Sequence, residues 1–127
     1  MKHTGVMTFT VGWGDCSPSG AVFYPNYFRW FDAAMWNFFD QADWPLRAME
    51  AEHGNVGLPL IETHVNFKRP CRLHDLLRLE TSITAFCGQE RKKIVLVCGM
   101  IGDYPHNGIV FTNQSTVTDL KGGFEGL

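Results

Sequence analysis

The chain has 127 residues, with 11 Lys and Arg against 13 Asp and Glu, and a formal net charge of -2 at pH 7. That balance provides no electrostatic footprint for nucleic acid or an anionic membrane. Hydrophobic residues make up 45%, with ten Phe and four Trp, which excludes a disordered chain and suits one domain over residues 1–127 with a single core.

The four cysteines, Cys16, Cys71, Cys87 and Cys98, form no C-x-x-C pair. Met1 to Gly5 lacks the apolar core of a secretory signal, and no apolar run approaches the roughly 20 residues needed to cross a bilayer. The expectation is a cytoplasmic protein with free or buried thiols rather than disulfides.

Residues 6–13 alternate, with Met7, Phe9, Val11 and Trp13 on one face and Thr8, Thr10 and Gly12 on the other, which predicts a half-buried first strand. Turn residues follow in Ser17-Pro18-Ser19-Gly20, Pro fixing one dihedral and Gly allowing positive φ. Pro25 then suits a first helical position, where a missing N–H costs nothing. A helix is predicted from Pro25 to about Gln41, roughly 26 Å long. Its first N–H groups lack intrahelical partners, and the Tyr24 N–H beside Pro25 is placed to donate to a carbonyl oxygen or a developing oxyanion.

This helix is apolar nearly all round. Asn26, Arg29, Asn37 and Asp40 fall on one narrow polar stripe, shared only with Ala33, so a sheet is expected to wrap the helix and leave one edge showing. Asp32 lies off that stripe, which predicts a buried carboxylate with partners or one facing another subunit.

Residues 42–59 read as irregular, with a short helix opened by Pro45 and stopped by Gly54 and Gly57. Strand two follows from Leu60, with Ile61, Thr63, Val65 and Phe67 facing one way and Glu62, His64, Asn66 and Lys68 the other. Beyond the connection through Pro70 and Asp75, strand three alternates over Leu77, Leu79, Thr81, Ile83 and Ala85. A turn at Cys87 to Glu90 and the cationic run Arg91-Lys92-Lys93 lead into Ile94 to Cys98, a continuous apolar run suited to a central strand covered on both sides. Asp103 to Gly108 is a turn, and Ile109 to about Thr118 is the last strand.

Strand, turn, central helix and four antiparallel strands is the hotdog arrangement, an α+β fold with a five-stranded antiparallel sheet wrapped around a long helix. The segment from Gly14 to Ala34, GDCSPSGAVFYPNYFRWFDAA, resembles the signature of the 4-hydroxybenzoyl-CoA thioesterase family. The likeness continues through Gly57-Leu58-Pro59, through Phe67 to Leu76 with Pro70 and Asp75, and into strand three.

The resemblance implies hydrolysis of an acyl-CoA thioester, aromatic or short and apolar, by a homodimer or dimer of dimers with sites at the dimer interface. It implies no cofactor, coenzyme A being part of the substrate. By position, the backbone N–H that polarises the thioester carbonyl falls on Tyr24 beside Pro25, and the basic residues that meet the coenzyme A phosphates fall on Arg91, Lys92 and Lys93.

One departure stands out. The family pattern places a catalytic Asp where this chain has Ser17, and loss of general-base catalysis costs roughly 10²- to 10⁴-fold. Three substitutes are open: Ser17 attacking directly or positioning a water, Asp15 holding a water from the same side of the chain, and His64 with a suitable unperturbed pKa. The contrasting expectation is a non-catalytic module that binds acyl-CoA or an acyl carrier. A hotdog hydratase is disfavoured, since no Asp-x-x-x-x-His spacing occurs in the turn or helix. No metal is expected, because His3, His53, His64, His74 and His106 show no paired ligand spacing with the cysteines.

Overall fold

The computed structural model describes residues 4–41, 60–87 and 93–118. Strand β1 (Thr4–Thr10) leads through a 3-10 turn (Trp13–Asp15) to helix α1 (Pro25–Gln41), and then come β2 (Leu60–Phe67), β3 (Leu76–Cys87), β4 (Lys93–Tyr104) and β5 (Gly108–Thr118). All five strands form one antiparallel sheet in the order β1-β3-β4-β5-β2. This is the expected hotdog architecture. The predicted short helix at Pro45, residues 88–90 of the predicted turn, and Arg91 and Lys92 lie outside the described residues, while Cys87 ends β3.

Strict alternation places the core. On β3, Leu77, Leu79 and Thr81 are buried, and on β4 so are Ile94, Leu96, Cys98 and Met100, all turned toward the helix by the two-residue period. Strand β4 is central, as its apolar run predicts, but Val95, Val97 and Ile101 on its outer face are only half-buried. Its second face is therefore not fully covered.

Helix α1 meets the sheet through Tyr27, Trp30, Ala34 and Phe38, spaced three or four residues apart as one helical face requires. Phe111 of β5 receives this face. Its ring stacks on Phe31 at 4.2 Å and on Tyr27 at 5.4 Å between centroids, contacts worth about 0.5–1.5 kcal/mol each beyond area burial.

Two expectations are corrected. The first strand ends at Thr10 rather than 13, because the chain turns into the 3-10 segment; Val11 stays buried while Trp13 swings out to 84% exposure. The helix is not enveloped, since the sheet covers only one side and Phe28 and Trp36 remain exposed. Asp32 lies on that open side and is exposed, so the buried setting is ruled out and the alternative in which it faces another subunit is untouched.

The polar stripe works as a seam. Asn37 Nδ2 and Gln41 Nε2 donate to the Val6 carbonyl at 3.2 and 3.3 Å, and the Val6 N–H donates to Gln41 Oε1 at 3.0 Å. The helix thus occupies backbone groups along the free edge of β1, which would otherwise invite strand pairing. The opposite edge, β2, pairs only with β5 among the described residues.

Close approach of helix and β1 depends on Gly5, where an added Cβ would lie 2.9 Å from Phe38 Cα, a backbone atom with no freedom to yield. Gly5→Ala is therefore expected to destabilise the fold by about 1–3 kcal/mol. Gly14→Ala, with nothing within 4 Å of the new Cβ, should stay within about 0.5 kcal/mol. Urea unfolding of the two variants beside the parent protein checks both.

Candidate active site

The segment from Gly12 to Tyr24 folds back on itself before the helix begins. Gly12 accepts the Asp15 N–H at 3.1 Å while the Gly12 N–H donates to Asp15 Oδ2 at 2.9 Å, closing the 3-10 turn. Cys16 pairs with Val22, and the Ser17 N–H donates to the Ala21 carbonyl at 2.8 Å. Between them, the Gly20 N–H donates to Ser17 O at 2.9 Å, with Gly20 at φ 88°. The Ser-Pro-Ser-Gly run makes the tight turn its composition predicts, and Gly supplies the left-handed residue.

Asp15 ties this hairpin to the helix. Its carbonyl accepts the Phe23 N–H at 2.9 Å and Asn26 Nδ2 at 2.8 Å, while Oδ1 accepts Arg29 Nη2 at 2.9 Å. Both carboxylate oxygens are thus engaged, one by the turn and one by an ion pair with the helix. Asn26 and Arg29 belong to the polar stripe, so its N-terminal end is also a seam. To hold a reactive water, Asp15 would have to share or release Arg29.

Two of the first helical donors are used locally. The Asn26 N–H donates to Phe23 O at 2.9 Å and the Tyr27 N–H to Tyr24 O at 3.1 Å, while Pro25 has no N–H. The Tyr24 N–H has no acceptor among the described residues. It sits at the positive end of the helix dipole, where an oxygen carrying negative charge is favoured.

Tyr24 opens onto a cavity of about 480 Å³ shared with Val22, Tyr27, Phe67, Lys68 and Arg69. Ser17 lines a different one, also about 480 Å³, with Trp13, Cys16, Pro18 and Leu73. Ser17 Oγ is 2.7 Å from Ser19 Oγ and 3.2 Å from the Ala21 carbonyl. No base reaches it among the described residues. His64 lies exposed on β2, its Nε2 2.8 Å from Glu62 Oε1, and lines none of these cavities.

A third cavity of about 260 Å³ lies between the open side of the helix and the sheet. Phe28, Phe31 and Met35 form its apolar wall, with Asp32 on the helix side and Thr81 and Asn113 on the sheet side. The polar sheet side is largely satisfied. Asn113 Nδ2 donates to Thr63 Oγ1 at 2.8 Å, and Ser115 Oγ donates to Asn113 Oδ1 at 2.6 Å. Thr81 Oγ1 is buried with no oxygen or nitrogen partner among the described residues, and its polar neighbour is the Cys98 thiol.

Behind the Tyr24 cavity, the Tyr27 hydroxyl accepts the Cys71 N–H at 3.0 Å. Burial raises the Tyr27 pKa to about 12 and the Cys71 thiol to about 11. The Cys98 thiol is likewise pushed to about 11 by burial, against a smaller lowering effect of Thr81. These groups stay neutral at physiological pH and serve packing rather than nucleophilic chemistry.

The structure brings Asp15, Ser17, Tyr24 and Pro25 into one hairpin and helix start, with Ser17 and Tyr24 on separate cavities. Lys93 opens β4 at the opposite end of the sheet. Its eleven-residue separation from Tyr104 corresponds to roughly 36 Å of strand. Sequence reasoning did not find Asn26 and Arg29 as partners of Asp15, although their place on the polar stripe was a usable signal. Nor did it single out Lys68 and Arg69, which read only as the end of a strand. Among the described residues no group of three or more His, Cys, Asp and Glu is placed to hold a metal ion, and no helix is long and apolar enough to cross a membrane.

The sequence profile of the Thioesterase-like superfamily matches residues 11–114. A 4-hydroxybenzoyl-CoA thioesterase of Pseudomonas sp. (strain CBS-3) is 37% identical over 84 residues, 65% of this chain and 60% of the relative. The matched region thus spans less than two thirds of that protein. The solved 4-hydroxybenzoyl CoA thioesterase structure from that strain superposes with a TM-score of 0.83 at 28% identity, covering 91% of this chain and 84% of the other. An Asp→Asn mutant of 4-hydroxybenzoyl CoA thioesterase complexed with 4-hydroxybenzoyl CoA gives 0.82 at 28% identity, covering 91% and 83%. A gentisyl-coenzyme A thioesterase gives 0.77 at 26%, covering 90% and 86%.

The raised pKa values make the fold sensitive to alkali. At pH 7 Tyr27, Cys71 and Cys98 are almost wholly protonated in folded and unfolded chains alike. Above the ordinary values of 9.0 for the thiols and 10.0 for the phenol, the unfolded chain loses these protons while the folded chain keeps them to about 11 and 12. Stability is therefore expected to fall as pH rises from 9 to 12. Urea midpoints at pH 8 and pH 10.5 check this, with a smaller drop expected for Cys98→Ala.

Proposed function

The chain belongs to the Thioesterase-like superfamily, and from that premise we propose that it hydrolyses the thioester of an acyl-CoA carrying a hydroxylated aromatic acyl group. The observation that carries the reading is the Tyr24 N–H, a donor without an acceptor among the described residues, at the start of a helix whose Asn26 and Tyr27 N–H groups are both taken. A thioester carbonyl placed there gains a hydrogen bond that strengthens as its oxygen becomes an oxyanion. A single donor of this kind is worth about 10²- to 10³-fold in rate.

The acyl group follows from what lies farther along the helix. Phe28 and Asp32 stand one and two turns beyond Tyr24, and both line the cavity between helix and sheet. Eight residues span about 12 Å of axis, and helical side chains lean back toward the N-terminus, which shortens the gap. An aromatic ring held against Phe28 and Phe31 would direct a ring hydroxyl toward Asp32, with Thr81 and Asn113 across the cavity. The relatives act on 4-hydroxybenzoyl-CoA and gentisyl-CoA, and such hydroxylated rings suit this mixed lining.

Water supplies the nucleophile. It attacks the polarised carbonyl carbon, the carbon–sulfur bond breaks, and the thiolate of coenzyme A leaves with a proton from solvent. Asp15 fixes the hairpin relative to the helix, and Ser17 is the hydroxyl which that hairpin offers to a water, although within one protomer it lines a cavity separate from that of Tyr24. With Ser17 where the family has a carboxylate, proton removal from the water is weak, so turnover is slow. The lack of a base at Ser17 Oγ also favours a second reading, a binding module that holds acyl-CoA without hydrolysing it.

The active assembly is a homodimer or a dimer of dimers. Among the described residues the outer edge of β2 carries no strand, and Leu60, Ile61 and Phe67 are exposed on it. Pairing of two such edges would bury them. Light scattering should then give two or four times the 14.4 kDa chain mass; a monomer at micromolar concentration contradicts this part of the reading.

Free-thiol release from benzoyl-CoA, 4-hydroxybenzoyl-CoA, gentisyl-CoA and decanoyl-CoA tests the activity. Slow hydrolysis favouring the hydroxylated rings is expected, with Ser17→Asp faster by about 10²-fold or more and Asp32→Ala losing the preference for the ring hydroxyl. Saturable binding with no hydrolysis in the parent protein favours the binding module. Neither binding nor hydrolysis of any aromatic acyl-CoA overturns both readings.

A further inference from the structure

The cavity onto which Tyr24 opens holds the wrong groups for activating water. Beside the apolar Val22, Phe67 and Pro70 it presents two cations, Lys68 and Arg69, and its lining includes no carboxylate, imidazole or thiol. The cavity of Ser17, bounded by Trp13, Cys16, Pro18, Gly20 and Leu73, likewise includes no carboxylate or imidazole.

The acids of this region are committed elsewhere. Asp15 gives Oδ1 to Arg29 and Oδ2 to the Gly12 N–H. Buried Asp75 accepts the Arg72 N–H at Oδ2 and lies 3.3 Å from His106 Nδ1 through Oδ1. Lys68 and Arg69 form no ion pair among the described residues. Arg69 donates from Nη2 to the His106 carbonyl at 2.8 Å, which leaves further guanidinium N–H groups to offer.

This inventory treats two kinds of nucleophile differently. Water, with a pKa of about 15.7, attacks efficiently only as a base removes its proton, and without that base it forfeits roughly 10²- to 10⁴-fold. A thiol ionises unaided near pH 8.5, so about a tenth is thiolate at pH 7.5, and the thiolate is the attacking species. Two unneutralised cations favour that anionic form. Ser17 is neutral, where a carboxylate would repel it.

We propose that the protein transfers the acyl group from coenzyme A to a second small aliphatic thiol, and that this exchange outruns hydrolysis. It rests on the reading that the thioester carbonyl sits at the Tyr24 N–H and goes beyond it by naming the acceptor. The acceptor thiolate forms a bond to the carbonyl carbon, and the displaced electron pair moves to the oxygen at the Tyr24 N–H. The pair then returns, the carbon–sulfur bond to coenzyme A breaks, and coenzyme A leaves as its thiolate. One thioester and one thiolate enter and one of each departs, so no proton, oxidant or reductant is consumed. With the acyl ring between helix and sheet, the Tyr24 cavity of about 480 Å³ is left to the entering and leaving sulfurs.

The test incubates 4-hydroxybenzoyl-CoA with N-acetylcysteamine and separates the new thioester from free 4-hydroxybenzoate by chromatography, each corrected for the reaction without protein. The new thioester should form with saturation in both substrates and about 10-fold or more faster than the free acid. Ser17→Asp should raise the acid and lower the exchange, opposite movements that a loss of folding cannot produce. Lys68→Ala, at an exposed side chain, should lower the ratio of exchange to hydrolysis, and added salt should do the same.

Exchange at the background rate beside measurable hydrolysis overturns the proposal and leaves the hydrolase reading standing. Exchange without hydrolysis supports the proposal and sinks the hydrolase reading, and neither product overturns both. Loss of exchange in Cys16→Ala would mean that an acylated cysteine carries the transfer and would overturn direct attack, whereas its retention supports it.

Discussion

The geometry at the start of the helix depends on Asp15. One residue accepts hydrogen bonds from the Gly12 N–H, the Phe23 N–H, the Asn26 amide and the Arg29 guanidinium. It thereby fixes the 3-10 turn, the Ser17 hairpin and the first two turns of the helix as one body. Charge-assisted bonds of this kind are roughly twice as strong as neutral ones, although the exposure of Arg29 limits what the ion pair itself contributes. The consequence is positional. With the hairpin locked and Pro25 lacking an N–H, the Tyr24 N–H has no acceptor among the described residues.

This arrangement explains why the polar stripe of the helix is narrow. Asn26 and Arg29 join the helix to the hairpin, and Asn37 with Gln41 joins it to the free edge of β1. Asn26, Arg29, Asn37 and Gln41 each bond a backbone or side-chain group of the hairpin or of β1. The opposite side of the helix has no such task, and there Phe28, Asp32 and Trp36 remain open. Asymmetry between a sewn side and an open side gives the helix its proposed role: one side fixes the carbonyl donor while the other forms an acyl cavity against the sheet.

Much of this fold was legible from residue periods. Alternation in β3 and helical spacing in α1 report burial directly, and they located the elements to within a few residues. Trp13 misled the first strand because alternation alone cannot see a turn that begins at Gly12. The wrapping of the helix was overestimated for a related reason. Aromatic residues mark apolar surface but do not say whether this chain or a second copy covers it. At the site, the hairpin and Tyr24 were readable from Ser-Pro-Ser-Gly and Pro25. Asn26 and Arg29 were not, since their significance lies in contacts with Asp15, 11 and 14 residues earlier in the chain. Asp32 was recognised as out of place, and its outward position at a cavity replaces the buried setting its neighbours suggested.

The activity proposed here turns on whether a thioester carbonyl binds at the Tyr24 N–H. The most direct measurement is isotope-edited infrared spectroscopy of a ¹³C-labelled acyl-CoA analogue whose sulfur is replaced by methylene, so that the carbonyl binds without being hydrolysed. A carbonyl stretch moved to lower frequency in the complex, together with a shifted Tyr24 amide resonance, is the predicted result. A bound analogue whose carbonyl frequency equals that in water, with the Tyr24 amide unmoved, would contradict the account.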